Sequence, residues 1–198
     1  MEKAFITGRP VNRGGDAGPA KWAVFLFSVF VFAFCLALLY MGMRGVMRLG
    51  GFVASGGPYQ IAHQAPDWVW VFPVSIMLMV GSMFASMYAG SKVGGPNLMA
   101  LAWSALFLVL GWNFVEFGFG IGTGGGLAWG WVICAVTFLL MGGVPLAIIL
   151  SSFFRSMRER SNGPATGESP PWGLSLLLQA AAAAGGALLG LEFFSTLS

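Results

Sequence analysis

Charge is scarce in this chain. Of 198 residues, 10 are Lys or Arg and 7 are Asp or Glu, so 9% carry a charge. A soluble globular domain carries about a quarter. So little charge cannot cover a water-exposed surface, and a free-standing soluble domain is excluded. The basic residues are too sparse for a nucleic-acid surface and form no basic run outside the tails. Histidine occurs once, at His63, and cysteine twice, at Cys35 and Cys134. His63 with Asp67 four residues on would leave a metal short of ligands. A b-type haem would need a second axial ligand, and none is indicated. Both cysteines fall inside apolar segments and read as packing residues instead of a disulfide or metal pair. Serine–histidine–acid sets, paired carboxylates in mid-span and a Walker loop are also missing. An enzyme is therefore the weakest class, and no cofactor is expected beyond bound lipid.

Apolar runs fill the rest, with 57% of residues hydrophobic. Residues 22–43 carry no charge, and a bilayer core needs about 20 residues as helix. Lys21 ahead of that run imitates a signal peptide. The run is too long and lacks a small-residue cleavage site, so it reads as an uncleaved first helix. A second span is expected over 67–90, with Asp67 as N-cap after Pro66. The turn with Lys92, Gly94, Gly95 and Pro96 forces an antiparallel hairpin into a third span, 97–117. A glycine-rich stretch, 118–126, precedes a fourth span over 127–154, with Pro145 inside it. A fifth is expected over 172–193. The runs are continuous, not alternating, which favours helices over a barrel. The expectation is an all-α integral membrane protein, a bundle of five transmembrane helices. Residues 1–21 form a flexible cytoplasmic tail and 22–154 a four-helix membrane domain with an ordered outer loop at 50–66. Residues 155–171 form a cytoplasmic linker, and 172–198 the last helix with a short outer tail.

Orientation follows from the basic residues near span ends. With the N-terminus cytoplasmic, that side holds Lys3, Arg9, Arg13, Lys21, Lys92, Arg155, Arg158 and Arg160, against Arg44 and Arg48 opposite. The C-terminus is then outside. A plasma membrane is expected, specifically a bacterial inner membrane.

Depth arithmetic at about 1.5 Å per residue brings Arg44, Arg48, Asp67 and Glu116 to one outer level. A carboxylate there needs a partner or water. The expected pairs are Arg44–Glu116 or Arg48–Asp67, acting as a clamp on the helix ends. With Tyr59 and His63 from the 50–66 loop, these residues make the candidate outer polar cluster. His63 reads as a hydrogen-bonded loop residue, and Trp68 and Trp70 as part of an interfacial belt. Gly120, Gly122 and Gly125 match G-x-G-x-x-G, but without a preceding strand the match marks a turn, not a nucleotide site. Asn113 and Gln179 are amides inside apolar spans, the kind that bond to a neighbouring helix. Ala180, Ala184, Gly185, Gly186 and Gly190 form a candidate helix-packing face. The phenylalanines at 25, 27, 30, 32 and 34 surround their helix, which predicts a lipid-exposed first span.

The leading expectation is a non-catalytic membrane subunit or scaffold of a larger assembly. Its partners are lipid and other membrane subunits or further copies of itself. The rivals are a small oligomeric transporter or channel with an outer vestibule, and an outward-facing ligand- or quinone-type site under the 50–66 loop.

Overall fold

The computed structural model describes residues 18–48, 66–93, 97–121, 126–161 and 172–197. They form five long helices: α1 (Pro19–Arg48), α2 (Val71–Val93), α3 (Ala102–Gly118), α4 (Trp129–Ser161) and α5 (Trp172–Leu197). Short 3-10 turns at Asp67–Trp70 and Leu98–Leu101 lead into α2 and α3. No strand occurs among the described residues. All five helices, with their leading turns, are long and apolar enough to cross a membrane. The chain is a multi-pass helical membrane protein by that measure. The 50–66 loop, apart from Pro66, lies outside the described residues, as do residues 1–17 and 162–171.

Local chemistry sets the helix ends. Proline is at ease in a first helical turn because its missing N–H has no partner there anyway, and α1 opens at Pro19. Asp67 does not cap α2 as the sequence suggested. Pro66 takes the cap position, with φ −66° and ψ 151°, and its carbonyl accepts the Val69 amide at 2.9 Å. The extended backbone at Pro66 tightens the first turn to 3-10 geometry and leaves Asp67 exposed as its opening residue. Asn97 does cap, its side chain accepting from the Met99 amide at 2.8 Å. Helix α3 is followed by a turn through Gly120, with φ 65°. The Ile121 amide reaches back to the Glu116 carbonyl at 2.8 Å, and that of Gly120 to Phe117 at 3.4 Å. This reversal needs a left-handed residue, which glycine supplies without strain. Helix α4 runs to Ser161, two turns into the expected linker.

Helix α1 is the centre of the bundle, which corrects the lipid-exposed reading of its phenylalanines. Phe25 and Phe32 are buried and Phe27 is exposed. A span apolar on every side is equally compatible with lipid and with protein neighbours, so the aromatic ring pattern could not choose. Helix α2 runs antiparallel to α1, presenting Val71, Ser75, Met79, Ser82, Ser86 and Ala89 at helical spacing. Helix α5 runs parallel to α1: Gly186 rests on the Phe30 carbonyl, and Gly190 on that of Phe34. At one end Phe194 meets the Trp68 ring at 5.1 Å between centroids. Helices α3 and α4 form their own antiparallel hairpin, with Gly111, Gly118 and Gly142 each seated against the partner helix. Phe114 of α3 meets Phe138 of α4 at 4.8 Å and stacks on Trp131 at 5.5 Å. Two blocks result: α1, α2 and α5 in one, the α3–α4 hairpin in the other.

Of the expected packing face on α5, Gly186 and Gly190 rest on α1 backbone and Gly185 lies beside the Phe30 ring, whereas Ala180 and Ala184 are exposed. The stripe facing inward is Ser175, Gln179, Gly186, Gly190 and Phe194. A Cβ at Gly186 would collide with backbone, which cannot move aside as a side chain can. Gly186→Ala should therefore cost about 1–3 kcal/mol by overpacking. Gly81→Ala, at a position with no atom within 4 Å, should be neutral or slightly stabilising by helix propensity. Thermal melts of both variants in detergent check this. Equal stability of the two would contradict the close contact.

Candidate functional site

Helices α1, α3 and α5 end on the same side of the bundle, here called the Arg44 end. Arg44 lies one turn before the end of α1, and Glu116 closes the last full turn of α3. Arg44 Nε is 3.4 Å from Glu116 Oε2, with side-chain exposures of 33% and 10%. Two aromatic residues complete the group. Arg44 Nη1 donates to the Tyr40 hydroxyl at 2.8 Å, and that hydroxyl donates to Glu116 Oε1 at 3.4 Å. Trp112 Nε1 donates to the same oxygen at 3.0 Å. The guanidinium carbon also sits 5.4 Å from the Tyr40 ring centre, within cation–π range. The carboxylate thus meets three donors, one of them cationic, which offsets the cost of holding it among hydrocarbon.

One turn deeper, Asn113 Nδ2 donates to the Tyr40 carbonyl at 3.4 Å. Asn113 is fully buried and its Oδ1 has no partner. All contacts of this group cross between α1 and α3, or run four residues along one of them. Arg48 and Asp67 are exposed at the same end, and no ion pair joins them among the described residues. Tyr59 and His63 lie outside the described residues. Tyr40 and Trp112 were missed in the sequence. Each stands four residues before a charged partner, the spacing that makes helical neighbours, and that signal was available.

The opposite end, named for Lys21, carries a second polar group. Gln179 Oε1 of α5 accepts the Leu98 amide at 2.8 Å, one of the orphan donors opening the third span. Its Nε2 donates to Ser175 Oγ at 3.1 Å. Beside it, Ser86 of α2 donates to Asn97 Oδ1 at 3.3 Å. Three separate spans meet there through neutral hydrogen bonds.

No three His, Cys, Asp or Glu side chains converge among the described residues. The Arg44 group supplies charge compensation and hydrogen bonds, not a nucleophile with a base. No known family matches the chain, and neither a curated protein nor a solved structure is significantly similar to it.

Glu116→Gln and Arg44→Gln should each lower stability in detergent by about 1–3 kcal/mol, since each leaves a partner uncompensated. The double variant should lose less than the sum. Strict additivity in thermal melts would argue against the contact.

Proposed function

We propose that this chain is a non-catalytic subunit or scaffold of a larger membrane assembly. The observation that carries this reading is the use made of polar groups within the spans. Arg44–Glu116, Asn113–Tyr40, Gln179–Leu98 and Ser86–Asn97 each tie one span to another. Interhelical hydrogen bonds of this kind fix a bundle's geometry, which is what a scaffold must hold. The outer faces suit docking. Helix α4 is the least buried of the five spans. Helix α5 leaves Ala180 and Ala184 open, and small residues let another helix approach closely. Lipid fills whatever protein partners leave bare.

In the proposed orientation the Lys21 end is cytoplasmic and the Arg44 end lies outside, in a plasma membrane of the bacterial inner-membrane kind. Support comes from the basic residues, eight at one side against Arg44 and Arg48 at the other. Arg44 is in addition neutralised by Glu116.

Native mass spectrometry of gently solubilised protein tests the assembly. Stable complexes with unlike membrane subunits are expected. Particles holding only this chain, or a stoichiometric small molecule on the lone chain, would overturn the reading. Topology is tested separately with an impermeant maleimide. Ser161→Cys and Ser198→Cys, in a cysteine-free background, should label from opposite faces of the membrane. Labelling from one face would exclude five spans.

A further inference from the structure

The α3–α4 hairpin is attached to the rest of the molecule very unevenly. Helix α1 packs along α2 and along α5 over most of its length, and α3 does the same with α4. The α1–α3 contact is far slighter. The start of the third span adds a second junction between the two blocks. There the 3-10 turn Leu98–Leu101 touches α2, α4 and α5 at once. Met99 and Ala102 sit in the apolar core with Val29, Phe32 and Met79. The Leu98 amide is held by the buried Gln179 side chain at 2.8 Å.

The character of the interface changes towards the Arg44 end. Beyond Leu106 three polar links join α1 and α3: Asn113 to the Tyr40 carbonyl, Tyr40 to Glu116, and Arg44 to Glu116. They measure 3.4 Å each, long for strong bonds. Asn113 is fully buried in this contact, with its Nδ2 bonded to α1. An apolar seat that touches three helices at one end and a polar contact between α1 and α3 at the other make a lever. Such rigid-body swings of one packed unit against another are a common form of switching in proteins.

We propose that the α3–α4 hairpin swings as one body about the Leu98–Leu101 turn, with the Arg44–Tyr40–Glu116 group as the latch that holds it shut. Helix α4 moves with α3 because their shared contact is the hairpin's own core. Opening separates α3 from α1 at the Arg44 end and exposes Asn113 to water. The product is a polar cleft between Tyr40 and Arg44 on one side and Asn113 and Glu116 on the other. The inference is independent of the assembly reading, since it concerns motion within a single chain.

Cysteine accessibility in lipid vesicles tests the lever. Asn113 and Ala102 lie on one face of α3, and both are buried. The first is near the latch and the second near the pivot. With Cys35 and Cys134 replaced by Ala, Asn113→Cys and Ala102→Cys are each treated with a small charged methanethiosulfonate. Adding Glu116→Gln should raise the modification rate at 113 by about tenfold, as for a lost charged hydrogen bond, and leave position 102 slow. Exchanging the pair, Arg44→Glu with Glu116→Arg, should return position 113 towards its slow rate. Equal acceleration at both positions would signify general loosening and overturn the lever. So would a rate at 113 that Glu116→Gln leaves unchanged. A far-ultraviolet melt of each variant identifies any that fail to fold. For such a variant Arg44→Lys, which keeps the positive charge on a slightly shorter arm, serves in its place. It should leave 113 slow, and fast modification with it would also refute the latch.

Discussion

Hydrocarbon offers no hydrogen bonds, and every polar group that enters it must find a partner within the protein. That constraint shapes this bundle more than any apolar contact does. Between helices in lipid there is little hydrophobic driving force, because acyl chains are as apolar as leucine. What remains is close packing and hydrogen bonding. The chain uses both, in different places. Glycines let α5 rest on the carbonyls of α1, and let α3 and α4 nest together. Side-chain amides and one ion pair then join the two blocks at opposite ends of the bundle. The near-neutral Lys21-end group costs little to bury. The Arg44-end group carries charge and stays close to water, where desolvation is cheaper.

The same constraint explains what could be read from the sequence. Span number and approximate bounds were legible because long uncharged runs have one physical meaning. Depth alone brought Arg44, Arg48, Asp67 and Glu116 to one level but could not choose among their pairings; the fold puts Arg44 beside Glu116. The position of α1 was not legible. Its phenylalanines look the same whether they meet lipid or protein, and only the tertiary fold decides that Phe25 and Phe32 turn inward. Likewise the run of small residues on α5 marked a packing face without fixing its angle. The helix turned so that Gln179, Gly186 and Gly190 face inward, seven and four residues apart, and left Ala184 outside. The cap at Pro66 escaped because aspartate is usually the better cap, while the backbone geometry of the proline decided the matter.

Polar residues in the spans also differ in how completely they are satisfied. Gln179 uses both its oxygen and its nitrogen. Asn113 uses its nitrogen alone. Two amides of one chemical type, in one bundle, therefore hold unlike local stability. The first secures a seat where three spans converge. The second joins α1 to α3, whose contact is thin. Uneven satisfaction of this sort is how a rigid scaffold and a movable part can share one small fold.

The parallel embrace of α1 by α5 has a consequence for biogenesis. Phe30 and Gly186 touch, yet about 150 residues of synthesis separate them, which at ribosomal rates is roughly 10–30 s. Throughout that interval the central helix waits in the bilayer with its α5-facing carbonyls and rings against lipid. This face of α1 is covered only when α5 arrives. A ribosome that stops early leaves four inserted helices around an open seam, a form that membrane quality control can recognise. Assembly of the α1-centred block is thereby made conditional on synthesis through α5.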